Sequence, residues 1–392
     1  MKRLIYLVLL FFAAGLPGCN RGESTFNCGD VINQAVNLIK SHHISIPVPD
    51  SLNYDLRHTV VNCQVNSGCF YYGLDPLNNS VDIYNLSTNR FITSLRYFND
   101  GRPGSFPITT FYVHNADSIF LFSEELLTLI LVNTGNEIKY KCDLKYALQE
   151  LEQKHRGLFL DMADKDMVYL KHGNLICFKL GNELYSPPAS GFFNTPLIAA
   201  FSLRHEKFSG VFGDFPEECS NNPTPLSIGF YLTGTGADSG VLVNFYSLPY
   251  LMEITPAGES KKICRKSNHL PDKWEEYSGD FSDFRSFQQY LISNGYYTKC
   301  LTGKNGNLKA VVVKHAVTST TFDRPANAFD APFSILLCDN NQVAGEANFE
   351  SSRYNYYNTH LMDEKWLLLD CNNINNPQFR EGYLEFDVFE LK

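Results

Sequence analysis

The sequence predicts an all-β protein, and three observations carry that prediction. Phe, Tyr and Trp number 30, 22 and 2 among 392 residues, and aromatic side chains favour strands. Short apolar runs bounded by turn residues recur along most of the chain, which indicates strands joined by tight turns. Three of these runs contain Phe70, Ile119 and Val168, which are 49 residues apart each time. A repeat of about 40–50 residues with several strands is typical of a β-propeller blade.

The chain begins with a segment typical of a secretory signal peptide. Lys2 and Arg3 precede an unbroken apolar run from Leu4 to Ala14. As a helix this run would be about 16 Å long, too short for the ~30 Å hydrocarbon core of a bilayer. The following Leu16-Pro17-Gly18-Cys19 resembles the lipobox of bacterial lipoproteins. We expect residues 1–18 to be a lipoprotein signal peptide and Cys19 to be lipidated; an ordinary secretory signal is the alternative.

The net charge of the chain limits the classes of partner that we expect. The formal net charge is −9, and loss of Lys2 and Arg3 with the signal makes the mature chain more acidic. Nucleic acid is therefore not an expected partner, since its phosphates are bound by clustered Lys and Arg. An acidic chain is not drawn to anionic headgroups either, so we expect the lipid on Cys19 to hold the membrane. The predicted location is the bacterial cell envelope, most simply the outer membrane, with its periplasmic and surface faces both open.

Residues 19–56 are predicted to be a lipidated tether with a short helix. The segment from Asn20 to Gly29 is polar, and Asp30 is a candidate N-cap. Apolar side chains then recur at helical spacing through His42, at Val31, Ile32, Ala35, Val36 and Ile39. The sequence Pro47-Val48-Pro49 would end such a helix.

Residues 57–392 are predicted to be the propeller domain. Divided by the 49-residue repeat, this length gives six blades with insertions, or seven as the alternative. We prefer six because two helical insertions are visible, over Asp143 to Lys154 and over Ser282 to Asn294. Asn305-Gly306 between two apolar runs predicts a hairpin turn. A closed propeller completes its last blade across the chain ends, and we expect the strand from Thr59 to Cys63 to pair with the C-terminal strands.

Taken together, these features resemble a family of gut-bacterial lipoproteins known as domain of unknown function 4221. The stretches that carry the resemblance are the lipobox at Cys19, Asp100 to Gly104, Phe111 to Phe120, Gly213 to Pro216, and Tyr383 to Leu391. Their order along the chain is more specific than any one of them. The resemblance implies a six-bladed propeller on a lipid anchor. It implies no activity, because the family is named for lacking one.

The sequence contains no recognisable catalytic or cofactor motif. Gly-x-Ser-x-Gly, Ser-x-x-Lys and His-Glu-x-x-His are all missing. The Gly-rich run from Gly234 to Gly240 precedes a strand, which indicates a hairpin turn and no phosphate loop. Asp161, Asp164 and Asp166 could offer oxygens to Ca²⁺, but without the Gly and distal Glu of a calcium loop they indicate a solvated turn. No two histidines have metal-ligand spacing. We therefore expect neither metal nor cofactor.

Of the eleven cysteines, Cys19 is explained by lipidation and ten remain. No Cys-x-x-Cys is present, so a zinc site is not expected. We expect mostly free, buried thiols, with Cys63–Cys69 the first pair to test for a disulfide.

Three function classes stay open. The leading one is a binding module for a glycan, a peptide or a partner protein at the propeller face. The alternatives are an envelope polysaccharide hydrolase or lyase, whose paired carboxylates would be close in space and not in sequence, and a structural component of an outer-membrane assembly. Catalysis is neither indicated nor excluded.

Overall fold

The computed structural model describes residues 28, 36, 38–49, 58–64, 68–96, 106–164, 166–236, 239–317 and 328–391. Their strands form six antiparallel sheets, five with four strands and one with five. The first strands of the sheets neighbour one another in a ring, so each sheet is a blade of one propeller. The predicted six blades are confirmed, and the seven-bladed alternative is wrong. The expected signal peptide and Cys19 lie outside the described residues.

Each blade runs from an inner strand at the central channel to an outer strand at the rim. The strands of blades 1 to 3 are β2 (Thr59–Gln64), β3 (Gly68–Asp75), β4 (Ser80–Asn85), β5 (Arg90–Leu95); β6 (Thr110–Asn115), β7 (Ser118–Ser123), β8 (Thr128–Val132), β9 (Ile138–Asp143); β11 (Met167–Leu170), β12 (Leu175–Asn182), β13 (Ile198–Ser202), β14 (Lys207–Phe212). A short strand, β10 (Leu158–Leu160), extends blade 3 by pairing with β12.

The remaining blades complete the ring. Blade 4 contains β15 (Phe230–Gly234), β16 (Val241–Phe245), β17 (Tyr250–Ile254) and β18 (Ser260–Cys264). Blade 5 contains β19 (Tyr296–Thr302), β20 (Leu308–Lys314), β21 (Phe333–Asp339) and β22 (Gln342–Phe349). Blade 6 contains β23 (Asn355–Met362), β24 (Trp366–Asp370), β25 (Tyr383–Glu390) and β1 (Ile39–Pro47).

Both predicted helical insertions are present. They are α1 (Lys145–Lys154), between blades 2 and 3, and α5 (Phe284–Ser293), between blades 4 and 5. Three one-turn helices lie between them: α2 (Ser190–Phe193), α3 (Glu217–Asn221) and α4 (Pro225–Ile228). Among the described residues, none of the helices has the length and apolar character needed to span a bilayer.

The hydrophobic core lies between neighbouring blades. At the seam of blades 1 and 2, for example, Tyr72 and Ile83 pack with Phe111 and Leu121. These side chains come from alternate positions of strands buried on both faces, which is why the sequence shows short apolar runs and little polar alternation. Packing of blade on blade fixes the inner strands around the channel.

The strand that closes the ring differs from the one expected. β1 pairs antiparallel with β25, with Ile44 opposite Phe386 and Ile46 opposite Leu384. The expected helix through His42 is therefore wrong for Ile39–His42, and the propeller takes in residues that we assigned to the tether. The expected closing strand is also wrong, because β2 is the innermost strand of blade 1. The expected N-cap, Asp30, lies outside the described residues.

The segment before β1 is fastened along the rim of the propeller. Cys28 forms a disulfide with Cys264 at the end of β18 in blade 4. The Val36 backbone N–H then donates to the Glu346 carbonyl of β22 in blade 5, and Leu38 packs in the same core cluster. We call Cys28, Val36 and Leu38 the N-terminal strap. It joins blades 4, 5 and 6.

Candidate functional site

A cavity lies in the central channel and takes residues from the inner strand of every blade. Its volume is about 220 Å³. The polar and charged groups that line it come from blades 1, 3, 4, 5 and 6, and include Thr59, Asp164, Asp166, Thr233, Thr298, Lys299 and Tyr357. Because the six inner strands converge here, side chains far apart in sequence face one small space.

Asp161 and Asp164 precede β11 and hold a buried lysine. Lys179 Nζ lies 2.5 Å from Asp164 Oδ2 and 3.4 Å from Asp161 Oδ2, and 4.6 Å from the centre of the Phe230 ring. Burial alone would lower the pKa of Lys179, but the charges of Asp164 and Asp161 outweigh it and raise the pKa. The ammonium group of Lys179 therefore bridges these two carboxylates.

Asp166 has a different environment two residues along the chain. Its Oδ2 accepts a hydrogen bond of 2.7 Å from the Leu232 backbone N–H. Burial, and next the charge of Asp164, raise the pKa of Asp166 well above its usual range. Ala163 and Asp164 form a turn between β10 and β11, as expected, but Asp164 and Asp166 line the cavity of the channel. Asp164 and Asp166 thus line the cavity in different environments, the first paired with Lys179 and the second bonded to the Leu232 backbone N–H.

Lys299 of β19 is the unpaired charge of the channel. Its Nζ is buried and has no hydrogen-bond partner among the residues that the structure describes. Burial lowers the pKa of Lys299 to about 8, against a smaller raising effect of Asp166. A buried ammonium without an acceptor is unfavourable unless something in the site supplies one. The cavity therefore presents up to three unused N–H donors on one side chain.

Aromatic side chains form much of the remaining wall. Phe111, Tyr112, Tyr231 and Tyr357 all line the cavity. Behind them, the ring of Tyr246 lies 5.3 Å from that of Tyr231 and 5.2 Å from that of Tyr296, which joins the tyrosines of blades 4 and 5 into one cluster. Burial raises the pKa of Tyr231, so its phenol is neutral and can donate or accept a hydrogen bond. Such walls offer flat apolar faces with polar edges.

His58 stands at the cavity with its Nε2 already engaged. The Phe111 backbone N–H donates to this nitrogen over 3.0 Å, and the Thr110 hydroxyl lies 3.1 Å away. Because Nε2 accepts a hydrogen bond, the proton of the neutral ring is on Nδ1. His58 thereby links blade 1 to blade 2 at the channel mouth.

A buried polar network under the cavity joins blade 6 to blade 1. Asn358 Oδ1 accepts from the Thr59 hydroxyl at 2.7 Å and lies 2.7 Å from His360 Nε2, while its Nδ2 donates to Asp370 Oδ2 at 2.9 Å. Burial, first among several effects, raises the pKa of Asp370 to about 7. The network aligns β2 and β23, which carry Thr59 and Tyr357 to the cavity.

The other residues singled out in the sequence have structural environments. Cys63 and Cys69, the pair that the sequence analysis singled out, are joined by a disulfide across the β2–β3 hairpin. Six free thiols are buried, which confirms the expectation for Cys142, Cys177, Cys219, Cys300, Cys338 and Cys371. Gly234 ends β15 and Val241 begins β16, so the Gly-rich run is a hairpin connection.

Sequence reasoning missed Lys299 and the contact between His269 and His315. Lys299 is a single lysine in the apolar strand Tyr296–Thr302, and that conflict of charge and pattern was a usable signal. The two histidine rings stack with centroids 4.2 Å apart. Since 46 residues separate them, spacing along the chain could not indicate the contact.

Comparison with known proteins identifies the fold. No family model matches the sequence, and no curated protein matches it. A solved structure of a member of the duf4221 family from Bacteroides vulgatus superposes with a TM-score of 0.68 at 16% identity, covering 91% of this chain and 99% of that one. The two chains share one fold. The resemblance to domain of unknown function 4221 expected from the sequence is thus confirmed at the level of the propeller.

A second structure agrees with the first. A Bacteroides fragilis protein named as exported superposes with a TM-score of 0.53 at 12% identity, covering 91% of this chain and 95% of that one. At such identities the likeness concerns the six-bladed architecture. The residues of the channel are therefore interpreted from their own geometry.

Proposed function

We propose that this protein is a lipid-anchored binding module of the bacterial cell envelope, and that the central cavity is its ligand site. The observation that carries the proposal is Lys299, whose buried Nζ lacks a hydrogen-bond partner among the described residues while its side chain lines the cavity. Folding alone gains nothing from such a group. A ligand that supplies an acceptor oxygen would complete the site.

The dimensions and walls of the cavity favour a sugar-sized group. Drug-sized ligands fill pockets of about 300–1,000 Å³, so about 220 Å³ suits a single ring. Tyr112 and Tyr231 offer faces for a pyranose, and Lys299 offers N–H donors. The hydroxyl groups of Thr233 and Thr298 donate to the Cys300 and Val312 carbonyls and can accept a hydrogen bond from a ligand. A glycan end carrying a carboxylate or several hydroxyl groups is the chemistry that meets all three.

Titration of the purified mature chain with acidic and neutral monosaccharides and short glycans, followed by calorimetry, tests this site. We expect Lys299→Met to weaken binding by about tenfold or more, since hydrogen bonds to a charged group contribute about 1.5–3 kcal/mol. Lys304→Met is the matched control, because Lys304 is exposed in the turn after the same strand. Equal affinity of Lys299→Met and wild type for every ligand found would refute the channel site.

The anchor is proposed on the lipobox at Cys19. The likeness to a protein named as exported supports export of this chain. Cys19→Ser should move the protein from the membrane fraction to the soluble fraction, with Asn20→Ala as a control that stays in the membrane. Mass spectrometry of the mature N-terminus should find acyl chains on Cys19. An unmodified terminus would contradict the anchor and leave the channel proposal standing.

A second candidate, an envelope polysaccharide hydrolase or lyase, is favoured by one observation. Asp164 is paired with Lys179 while burial raises the pKa of Asp166 well above its usual range, and two neighbouring carboxyl groups in different environments can act as base and acid. Turnover of an envelope polysaccharide by wild type, lost in Asp166→Asn, would favour this candidate. Binding without turnover would favour the module.

A further inference from the structure

Outside the channel, three potential metal ligands meet at the seam of blades 4 and 5. His269 follows β18, His315 follows β20, and Glu346 lies in β22. One ligand atom from each lies within 4.8 Å of the other two. The imidazole rings are stacked at 4.2 Å with an interplanar angle of 21°. Three separate segments of chain therefore bring two imidazoles and a carboxylate to one point.

Glu346 is a buried carboxylate without a cationic partner among the described residues. It is only 7% exposed. Its Oε1 accepts from the Ser267 hydroxyl at 2.7 Å and from the Ser334 hydroxyl at 2.5 Å, and its Oε2 accepts from the Asn268 backbone N–H at 3.1 Å. These bonds fix the carboxylate without neutralising it. A buried anion is stabilised much further by a cation at contact distance.

Ser334 also orients one of the histidines. Its hydroxyl oxygen lies 3.0 Å from His315 Nε2, so one side chain positions both Glu346 and His315. Hydrogen-bonding groups behind the ligands of a metal are a regular part of metal sites.

The ammonium group of Lys314, next to His315 in sequence, is directed elsewhere. Lys314 precedes His315, and its Nζ donates to the backbone carbonyls of Leu291, Ile292 and Asn294 at 3.0, 2.7 and 2.7 Å. Lys314 therefore does not pair with Glu346. Among the described residues, no lysine, arginine or histidine forms a salt bridge with Glu346.

We propose that His269, His315 and Glu346 form a binding site for a divalent transition-metal ion of the zinc class. Two imidazole nitrogens and one carboxylate oxygen are a ligand set that Zn²⁺ takes with a fourth position open. Zinc bonds of about 2.0–2.2 Å place tetrahedral ligand atoms about 3.4 Å apart. His269 must also turn out of its stack on His315, because an imidazole nitrogen binds a metal in the plane of its ring. Its exposed side chain allows both the turn and the shift of an ångström or so. The bound ion would tie blade 4 to blade 5.

Metal titration of the chelator-treated, re-dialysed mature chain tests the site. We expect one equivalent of Zn²⁺ to bind in calorimetry, one equivalent of Co²⁺ to give a visible absorption band, and Zn²⁺ to raise the Tm. Mg²⁺ and Ca²⁺ should do neither, since they prefer all-oxygen ligands. His269→Ala should reduce Zn²⁺ affinity at least tenfold.

Two further variants make the test specific. Glu346→Gln retains the shape of the side chain and should also abolish tight binding, while His172→Ala changes an exposed histidine of blade 3 and should leave binding unchanged. His269 is exposed, so His269→Ala without metal should show the wild-type Tm, and a fold defect cannot explain its result. The proposal is overturned if wild type binds no Zn²⁺, or binds it as tightly as His269→Ala does.

Discussion

Lys299, which lines the cavity, and Lys179, which pairs with the cavity residue Asp164, are two buried lysines with opposite energetic roles. Lys179 is held by Asp161 and Asp164, whereas Lys299 Nζ has no acceptor among the described residues. We predict that Lys299→Met stabilises the ligand-free protein by about 1–3 kcal/mol at pH 7, because a buried charge is replaced by an apolar side chain of similar volume. Lys179→Met should destabilise it by about 3–5 kcal/mol, because two carboxylates lose their partner.

The pH dependence of the Lys299→Met effect provides its check. The pKa of Lys299 is about 8 in the folded protein and about 10.4 in an unfolded chain. Between these values the unfolded state binds more protons, so this group makes wild type more stable as pH rises. The advantage of Lys299→Met should therefore be full below pH 8 and fade toward pH 10, as followed by urea denaturation. An advantage that grew with pH would contradict the assignment.

Asp387 of β25 bonds to side chains of β1 and to Tyr354 in the blade that closes the ring. Burial by itself would raise its pKa, but hydrogen bonds from Lys40, His43 and Tyr354 outweigh it and lower the pKa to about 2. The partners lie at 2.7, 2.9 and 2.8 Å. A lowered folded pKa adds stability above the ordinary value near 4, and that stability is lost as pH falls from 4 through 2.

We therefore predict that Asp387→Asn costs about 2–3 kcal/mol at pH 6, in line with hydrogen bonds to charged groups. The difference from wild type should shrink toward pH 2. Asp339→Asn, at an exposed carboxylate of blade 5, should change stability by less than about 0.5 kcal/mol at either pH. The measurement is the midpoint of denaturation at each pH.

At the residue scale, the sequence could predict features formed by neighbouring residues, but not sites formed by residues that are far apart in sequence. Cys63–Cys69 was predictable because the two cysteines flank one tight hairpin. Asp161 to Asp166 was interpreted as a solvated turn because it lacks the Gly and distal Glu of a calcium loop. Whether this segment faces solvent or the channel depends on the positions of the other five inner strands, and a local pattern of side chains does not contain that information.

At the scale of elements, β1 shows pairing overriding local pattern. The apolar positions at helical spacing ended with Val36 and Ile39, yet Ile39–Pro47 is a strand. Hydrogen bonding to the otherwise unpaired edge of β25 stabilises a strand here more than helical spacing stabilises a short amphipathic helix, since isolated short helices are marginal. The alternation of Ile44 and Ile46, both buried, was the signal that the prediction overlooked.

The two ends of β1 offer a matched pair of variants. Ile46 is fully buried while Ile39 is 48% exposed. Ile46→Ala should destabilise the protein by about 2–5 kcal/mol, as large-to-small changes in cores do, and Ile39→Ala by well under 1 kcal/mol. Urea denaturation of both variants decides the matter. Similar losses in the two would be inconsistent with a strand that buries residue 46 and exposes residue 39.

The 49-residue repeat was correct for its first interval and coincidental for its second. Phe70 and Ile119 both lie in second strands, β3 and β7, but Val168 lies in β11, the first strand of its blade. The insertion of α1 and β10 before blade 3 displaced the register by about one strand. The blade count was still right because insertions lengthen connections without adding blades.

For the whole molecule, the N-terminal strap makes closure of the ring depend on both ends of the chain. The Cys28–Cys264 disulfide encloses 236 residues of sequence separation, and Cys63–Cys69 encloses 6. In the chain-entropy account, a cross-link stabilises more when it closes a longer loop, about 5 kcal/mol for the first and about 2 kcal/mol for the second. The two disulfides should therefore differ in their effect on global stability although each joins the same kind of groups.

We predict that the double variant Cys28→Ser/Cys264→Ser lowers the free energy of unfolding by about 2–5 kcal/mol, and that Cys63→Ser/Cys69→Ser lowers it by less. Denaturation under oxidising conditions measures both, with the six buried thiols unchanged as an internal reference. Alkylation of the denatured, unreduced mature protein should label those six thiols and none of the four bonded cysteines. If the short-loop pair had the larger effect, the strap would not be what holds blades 4, 5 and 6 together, and β1 pairing on β25 would have to account for closure alone.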